Sequence, residues 1–358
     1  MTKISRILML AHPETDYLAY MMYDGLYKVL GKDNLAVYPF IRHYQGGIDD
    51  WYILDDGKKG YTIPSLQMNS HESIDRSFED LVINIHSFDI IYMSSGRTYA
   101  RKALDQFIAI CGRNNLPPIV FSEGEDYQDL ITIRNIKQKY NPLVCFKREL
   151  LQSDIGKYPD LHPLHPLPFS AITDNLPPDN PNKDIDVFAV FGNTYPLREN
   201  IVRKILSSHL PEKYNVTIDI INHKDVPEMI TPWGDKRKDA TYHLIPHSKY
   251  LDHMSRAKIN IVARGWGYDT IRRFEAQCFS GLVISDNLPI ITPDPFIDNV
   301  HITYYNNDLS DLINRIEYIL NADNERRRVG MGGRNHCMKY HTTEARARYF
   351  INKVEQKI

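Results

Sequence analysis

Residues 255–285 read SRAKINIVARGWGYDTIRRFEAQCFSGLVIS, with an apolar run, a glycine turn, a helical pattern and a second apolar run in direct succession. Lys258 to Ala263 suits a short buried strand, and Gly265-Trp266-Gly267 suits a sharp turn. Asp269 and Thr270 suit the cap of a helix reaching about Phe279. A helix start offers unpaired N–H groups to an anion, so Gly265, Gly267, Asp269 and Thr270 are candidate phosphate contacts. Arg272 and Glu275, three residues apart, share a helical face, while Ile271, Phe274 and Cys278 make the apolar stripe that packs on a sheet. A guanidinium grips a diphosphate in bidentate fashion, and a carboxylate accepts from both hydroxyls of a ribose. The same pair also reads as an ordinary solvated surface pair. Its place one turn beyond the C-terminal end of a strand, where ligands collect in open α/β sheets, favours the ligand reading.

Outward from this stretch the same alternation recurs. In the first half, apolar runs at 4–10, 35–39, 89–94, 118–121 and 142–146 alternate with helical patterns at 16–30, 73–86, 98–112 and 128–139, which predicts a parallel sheet with crossover helices. Between about 151 and 184 the proline-rich HPLHPLPF and DNLPPDNPNKD read as a linker. The alternation restarts at 186–191, with helix 195–208, strand 214–221, a loop region to about 247 and the opening stretch. Helical patterns at 308–322 and 324–357 close the chain. The expectation is an α/β protein of two doubly wound, Rossmann-like domains facing a central cleft. The expected bounds are 1–170, 171–335 and a C-terminal helix over 336–358.

The 358 residues, 42% apolar and 25% charged, suit two folded domains. A net charge of −2 gives no global field for a polyanion. The N-terminal apolar run breaks at His12-Pro13-Glu14, too short for a signal or a membrane span, so a cytoplasmic location is expected. Cys111, Cys145, Cys278 and Cys337 are scattered in apolar contexts and read as buried thiols. Asp184 and Asp186 precede their strand, and His336, Cys337 and His341 lack a fourth partner at a recognisable spacing, so no metal is expected.

Further candidates stand at other predicted strand ends. Gly192, Asn193 and the Arg198 that follows form a second strand-turn-helix anion site, on the same sheet edge as the first. His12 and Asp16 end the first strand; either can serve as acid or base, and Asp16 reads equally as a helix cap. Glu123, Glu125 and Asp126 crowd three carboxylates together, which suits a general base at Asp126 or an acidic loop with a cap. Lys147-Arg148-Glu149 reads as a cleft charge set or as surface charge.

With these residues in place, AKINIVARGWGYDTIRRFEAQCFSGLVISD, HITYYNNDLSDLINRIEYIL and MKYHTTEARARYF resemble the CgeB-type, spore maturation protein-like glycosyltransferases of the group 1, GT-B lineage. AHPETDYLAYMMYDGLYKVLG, FSEGED and VCFKREL resemble corresponding segments of related bacterial proteins. The resemblance implies the GT-B fold, with a C-terminal helix crossing back to the first domain. It also implies a nucleotide-sugar co-substrate, most commonly a UDP-sugar, on the second domain and an acceptor on the first, with no tightly bound cofactor and no required divalent metal. Arg272 then matches the diphosphate cation, Glu275 the ribose carboxylate and Gly192 the loop over the phosphates. Many members carry a second carboxylate eight residues before the ribose one, where this chain has Gly267, so retaining and inverting chemistry both stay open. A glycan, protein or small-molecule hydroxyl is the expected acceptor. A modified base in DNA is the alternative, disfavoured by net charge unless Arg97, Arg101, Lys102, Lys147 and Arg148 form a basic groove. A nucleotide-sugar 2-epimerase and a catalytically silent sugar-nucleotide-binding module are the remaining alternatives.

Overall fold

Strands that alternate with amphipathic helices must return parallel to themselves, and they do so twice in this chain. The computed structural model describes residues 3–12, 16–41, 52–54, 59–60, 71, 74–154, 156–221, 229–230, 236–237 and 247–358. The first half runs β1 (Ile7–Leu10), α1 (Tyr17–Leu30), β2 (Leu35–Tyr38), β3 (Tyr52–Leu54), β4 (Lys59–Gly60), α2 (Phe78–Ile83), β5 (Ile90–Met93), α3 (Thr98–Cys111), β6 (Ile119–Glu123), α4 (Ile131–Tyr140), β7 (Val144–Lys147) and β8 (Leu164–Pro166). Strands β2-β1-β5-β6-β7-β8 form one sheet, parallel throughout. Alternation along β1 sends Ile7 and Met9 to one face and Leu8 and Leu10 to the other. Ala100, Leu104, Phe107, Ile133 and Ile136 of α3 and α4 cover the second of these faces.

The second half runs β9 (Ile185–Gly192), α5 (Pro196–Leu206), α6 (Leu210–Lys213), β10 (Val216–Ile221), β11 (Met229–Ile230), β12 (Lys236–Arg237), α7 (His247–Arg256), β13 (Ala257–Val262), α8 (Ile271–Gln277), β14 (Leu282–Asp286), β15 (Thr303–Tyr305), α9 (Leu312–Asn321), α10 (Asp323–Tyr340) and α11 (Thr343–Glu355). Its sheet, β10-β9-β13-β14-β15, is again parallel, and its order reverses between β9 and β13. That reversal opens a crevice beyond the strand ends.

Three sequence expectations change here. The proline-rich linker contains β8, an edge strand beside β7, and its Leu161, Leu167, Phe169, Ala171 and Ile172 are buried. Proline is tolerated there because an edge strand leaves one row of backbone groups unpaired. The stretch after β2, for which the sequence predicts no element, and the loop before 247 contribute β3, β4, β11 and β12 to a small antiparallel sheet that joins the two halves through β3 and β11. Helix α7 begins where the expected loop ends, over residues for which the sequence predicts no element; its polar sequence hides a buried stripe of Tyr250, Leu251 and Met254.

The final helical pattern is two helices, broken at His341-Thr342, and the second lies on the first sheet. The Thr342 hydroxyl caps α11 by accepting from the Ala345 N–H at 3.2 Å. Ala171 binds both sides of the break, donating to the His341 carbonyl at 2.7 Å and accepting from Thr343 N–H at 2.9 Å. Phe350 of α11 then stacks 4.7 Å from Tyr92 of β5 and 4.8 Å from Phe146 of β7. The expected crossing of the C-terminal helix onto the first half is present. Among the described residues no helix is long and apolar enough to cross a membrane.

Candidate active site at the edge of the second sheet

Strand β9 ends at Gly192 and its neighbour β13 at Val262, so the two glycine turns read from the sequence lie side by side. Arg198 ties them together. From the buried first turn of α5 it donates through Nε to the Arg264 carbonyl at 2.9 Å and through Nη2 to the Ala263 carbonyl at 3.1 Å. Nη1 donates to the Gly192 carbonyl at 3.1 Å and the Thr194 hydroxyl at 2.9 Å. Four of its five N–H donors therefore brace the loops, which leaves one N–H and its charge to act on a ligand. Burial, and then the charge of Arg272, push the Arg198 guanidinium down to about 9.

Arg272 stands differently. Its guanidinium lies 5.2 Å from the ring of Phe191 and 5.2 Å from that of Tyr250. Its Nε and Nη1 are buried without a hydrogen-bond partner among the described residues. Unmet buried donors are costly and call for an explanation, and a ligand anion supplies one. Glu275, one turn on, is buried beside the same tyrosine; burial first, with Glu275 adding and Arg272 opposing, pushes the Tyr250 phenol up to about 12. Arg272, Glu275, Tyr250, Phe191 and Arg198 thus form one group at the crevice. Ile271, Phe274 and Cys278 are buried, as the stripe required.

The helix start itself departs from expectation. Helix α8 has only seven residues, Thr270 makes no side-chain cap bond, and the Asp269 carboxylate instead accepts from the Phe169 N–H at 2.6 Å. The Asp269 amide is taken as well, by Glu149 Oε1 at 2.9 Å. Arg273, which the sequence did not single out, turns inward to Ser285 Oγ at 3.0 Å. Neither Gly265 nor Gly267 has positive φ. Gly267 is needed for room: an added Cβ would collide with Glu149 Oε1 and stand 2.6 Å from Asp126 Oδ1.

A cavity of 610 Å³ opens between the start of α5 and this turn, above the ends of β14 and β15. Arg264 lines it, with its guanidinium 4.5 Å from the Tyr195 ring and 3.8 Å from that of Tyr268. Asp286 and Asn307 complete the far wall. The volume suits a small polar ligand.

The first-half candidates gather opposite. Asp16 caps α1, accepting from the Ala19 N–H at 3.1 Å, and His12 packs edge-on to Tyr99 at 5.2 Å; both are buried. Asp126, half exposed at 54%, is bound by the buried Arg148. The three crowded carboxylates each have a cation: Lys147 for Glu123, Arg97 for Glu125 and Arg148 for Asp126. The Glu123 carboxyl is raised, but by burial and not by neighbouring carboxylates as the sequence suggested. Lys147-Arg148-Glu149 is a buried set, not surface charge. Of the five cations read as a basic groove, three are consequently neutralised.

Burial raises the Asp16 carboxyl, with Arg97 opposing. A raised value in the folded state gives stability that is full below the unfolded pKa and is lost as pH rises through the folded one. At neutral pH, where the carboxyl of the unfolded chain is ionised, the raised Asp16 is therefore a burden on the fold. Asp16→Asn keeps the acceptor for Ala19 N–H, so its melting temperature at pH 7 should exceed that of the parent, with the gain vanishing near pH 3. A melting temperature below the parent's at pH 7 would contradict this.

Metal-type ligands approach one another at one place among the described residues, Asp24, His71 and Asp174, away from the crevice. There the Lys28 ammonium sits 2.7 Å from each carboxylate and Thr343 Oγ1 donates to Asp24, so the group binds α1 to α11. The four cysteines are free thiols, three of them buried.

Residues 190–352 match the family described as glycosyl transferase-like. No curated protein is similar in sequence. The fold is shared with Anabaena Alr3699/HepE in complex with UDP and glucose, at TM-score 0.58 and 12% identity, covering 98% of this chain and 99% of that one. It is shared too with an alpha-glucosyltransferase (AGT) in complex with UDP, at 0.56 and 10%, covering 98% of each chain. Sucrose-phosphate synthase (tll1590) from Thermosynechococcus elongatus gives 0.52 and 12%, with 98% of each covered. The architecture is thus the GT-B fold of glycosyltransferases, and the stretch matching the family holds most of the second sheet and the whole β13–α8 turn.

Proposed function

We propose that the chain is a CgeB-type glycosyltransferase that moves a sugar from a nucleotide diphosphate sugar, foremost a UDP-sugar, to a hydroxyl of a glycan, a protein or a small molecule. The observation that carries this reading is Arg272: a guanidinium with two buried, unmet donors, beside a buried carboxylate, at the point where the strand order of a GT-B second sheet reverses. UDP bound to proteins of this fold supports the choice of nucleotide.

Sugar transfer leaves a diphosphate whose negative charge grows as the glycosidic bond breaks. Arg272 would donate to it through Nε and Nη1, with Arg198 adding its charge from below, and this pair takes the part a divalent cation plays elsewhere. Glu275 would accept from the ribose hydroxyls. Asp126, partly open to solvent on the opposite wall, would take a proton from an acceptor hydroxyl, with Asp16 and His12 as the further candidates. Closure of the two walls on the substrates would exclude water, the competing acceptor.

A thermal-shift panel of UDP, GDP, TDP and CDP and their common sugars tests the donor site. A ligand at 100 times its Kd adds about 2.7 kcal/mol to the stability of the fold that binds it. One nucleotide family should raise the melting temperature of the parent and leave Glu275→Ala unmoved. No shift with any nucleotide in the folded parent defeats the reading.

A further inference from the structure

The two walls of the site meet at a buried carboxylate that the sequence marks only as one member of a charged triplet. Glu149 follows β7 in the first sheet and is wholly buried. Its Oε1 accepts from Arg148 Nη2 at 3.0 Å and, across the cleft, from the Asp269 N–H at 2.9 Å. Its Oε2 accepts from Gln128 Nε2 at 2.9 Å. Arg148 lies 4.4 Å from the Phe169 ring and its Nη2 also bonds Asp126. The contact is as close as the backbone allows, because a methyl at Gly267 would collide with Glu149 Oε1 and stand 3.0 Å from Arg148 Nη2.

We infer that Glu149 is a positioning residue for the donor site: it locks the β13–α8 turn, and so the helix that carries Arg272, to the loop that carries Asp126. The inference rests on the transferase reading above. A buried ion pair is a poor source of stability, since desolvation offsets its attraction, and its best-attested use is to fix register. The halves do not need Glu149 to stay together. Close by, Leu150 and Gln152 pair with Ile291 and Pro289 through backbone bonds of 2.8 and 2.9 Å. What Glu149 adds is direction, since its three partners, Arg148, Gln128 and the Asp269 amide, hold one carboxylate in one orientation between the donor turn and Asp126.

The test measures UDP affinity by calorimetry, with thermal unfolding alongside, for the parent, Glu149→Ala, Glu149→Gln, Gly267→Ala and the Glu149→Ala/Gly267→Ala pair. Glu149→Ala should weaken UDP binding about 10-fold, equivalent to about 1.4 kcal/mol. Glu149→Gln should recover part of that, because its amide oxygen still accepts from the Asp269 N–H. Gly267→Ala should weaken binding sharply alone and add less in the Glu149→Ala background, where the nearer of the two colliding oxygens is gone and only Asp126 Oδ1, on an exposed side chain that can give way, still stands 2.6 Å from the added Cβ. A role in packing alone would lower the melting temperatures and leave affinity per folded molecule unchanged; that outcome overturns the inference. So does tighter UDP binding by Glu149→Ala, which would make the carboxylate a competitor of the donor phosphates. Failure of the parent to bind any nucleotide defeats the transferase reading itself, and this inference with it.

Discussion

Arg272→Ala should lose UDP binding by a factor of about 100 or more while leaving the unliganded chain nearly as stable as the parent. The two halves of that expectation come from the same atoms. Nε and Nη1 of Arg272 are buried and unmet among the described residues, so deleting them removes a standing cost, and the repulsion felt by Arg198 disappears with them. Against this stands the loss of stacking on Phe191 and Tyr250, and the balance should fall within about 1 kcal/mol of zero. In the complex each charge-assisted bond to a phosphate oxygen contributes about 1.5–3 kcal/mol. Two such bonds amount to about 3 kcal/mol or more, which is a factor of 100 at the least. An ordinary surface arginine shows neither effect, and one buried for structure alone destabilises the chain when removed. Calorimetry with UDP and a melting curve without it separate the three. Arg272→Ala binding UDP as the parent does would remove the residue from the donor site.

The sequence made this half of the site legible because its signals are local. Strand β13, the turn and α8 are contiguous, and the stripe of Ile271, Phe274 and Cys278 fixes which face Arg272 and Glu275 share. The β9 turn was legible for the same reason. Glu149 was visible only as part of a charged triplet, since its meeting with Asp269 joins residues 120 apart and no periodicity records it. Composition misled at β8, where prolines marked a linker although the residues between them are apolar and pair at a sheet edge. The glycine at 267 was read as freedom to turn, whereas the structure requires it for the approach of a side chain from the other half. Crowding at Glu123, Glu125 and Asp126 suggested mutual repulsion, but Lys147, Arg97 and Arg148 lie in other elements and answer each charge. Local chemistry was legible and long-range pairing was not.

Phe350→Ala should cost about 3–5 kcal/mol, the range for removing a buried phenylalanine, and the cost should fall on the first half of the chain. Phe350 belongs by sequence to the tail, yet its ring is fully buried against Tyr92 and Phe146 of the first sheet. Gly25→Ala attacks the same seam from the other side. An added Cβ would collide with the Thr343 carbonyl oxygen and stand 3.0 Å from Ala347 Cβ, an overpacking expected to cost about 1–3 kcal/mol. Once Phe350 is gone α11 can slide outward and admit that methyl, so the double variant should be less damaged than the sum of its parts. Urea unfolding followed by probes in each half should show the transition of the first sheet moving to lower denaturant. UDP on the donor site proposed at Arg272 and Glu275 in the second half should protect the second transition far more than the first. If Phe350→Ala shifts neither transition, α11 does not anchor the first sheet. If it shifts both together and UDP restores both, the halves unfold as one unit and the crossing helix is the element that makes them so.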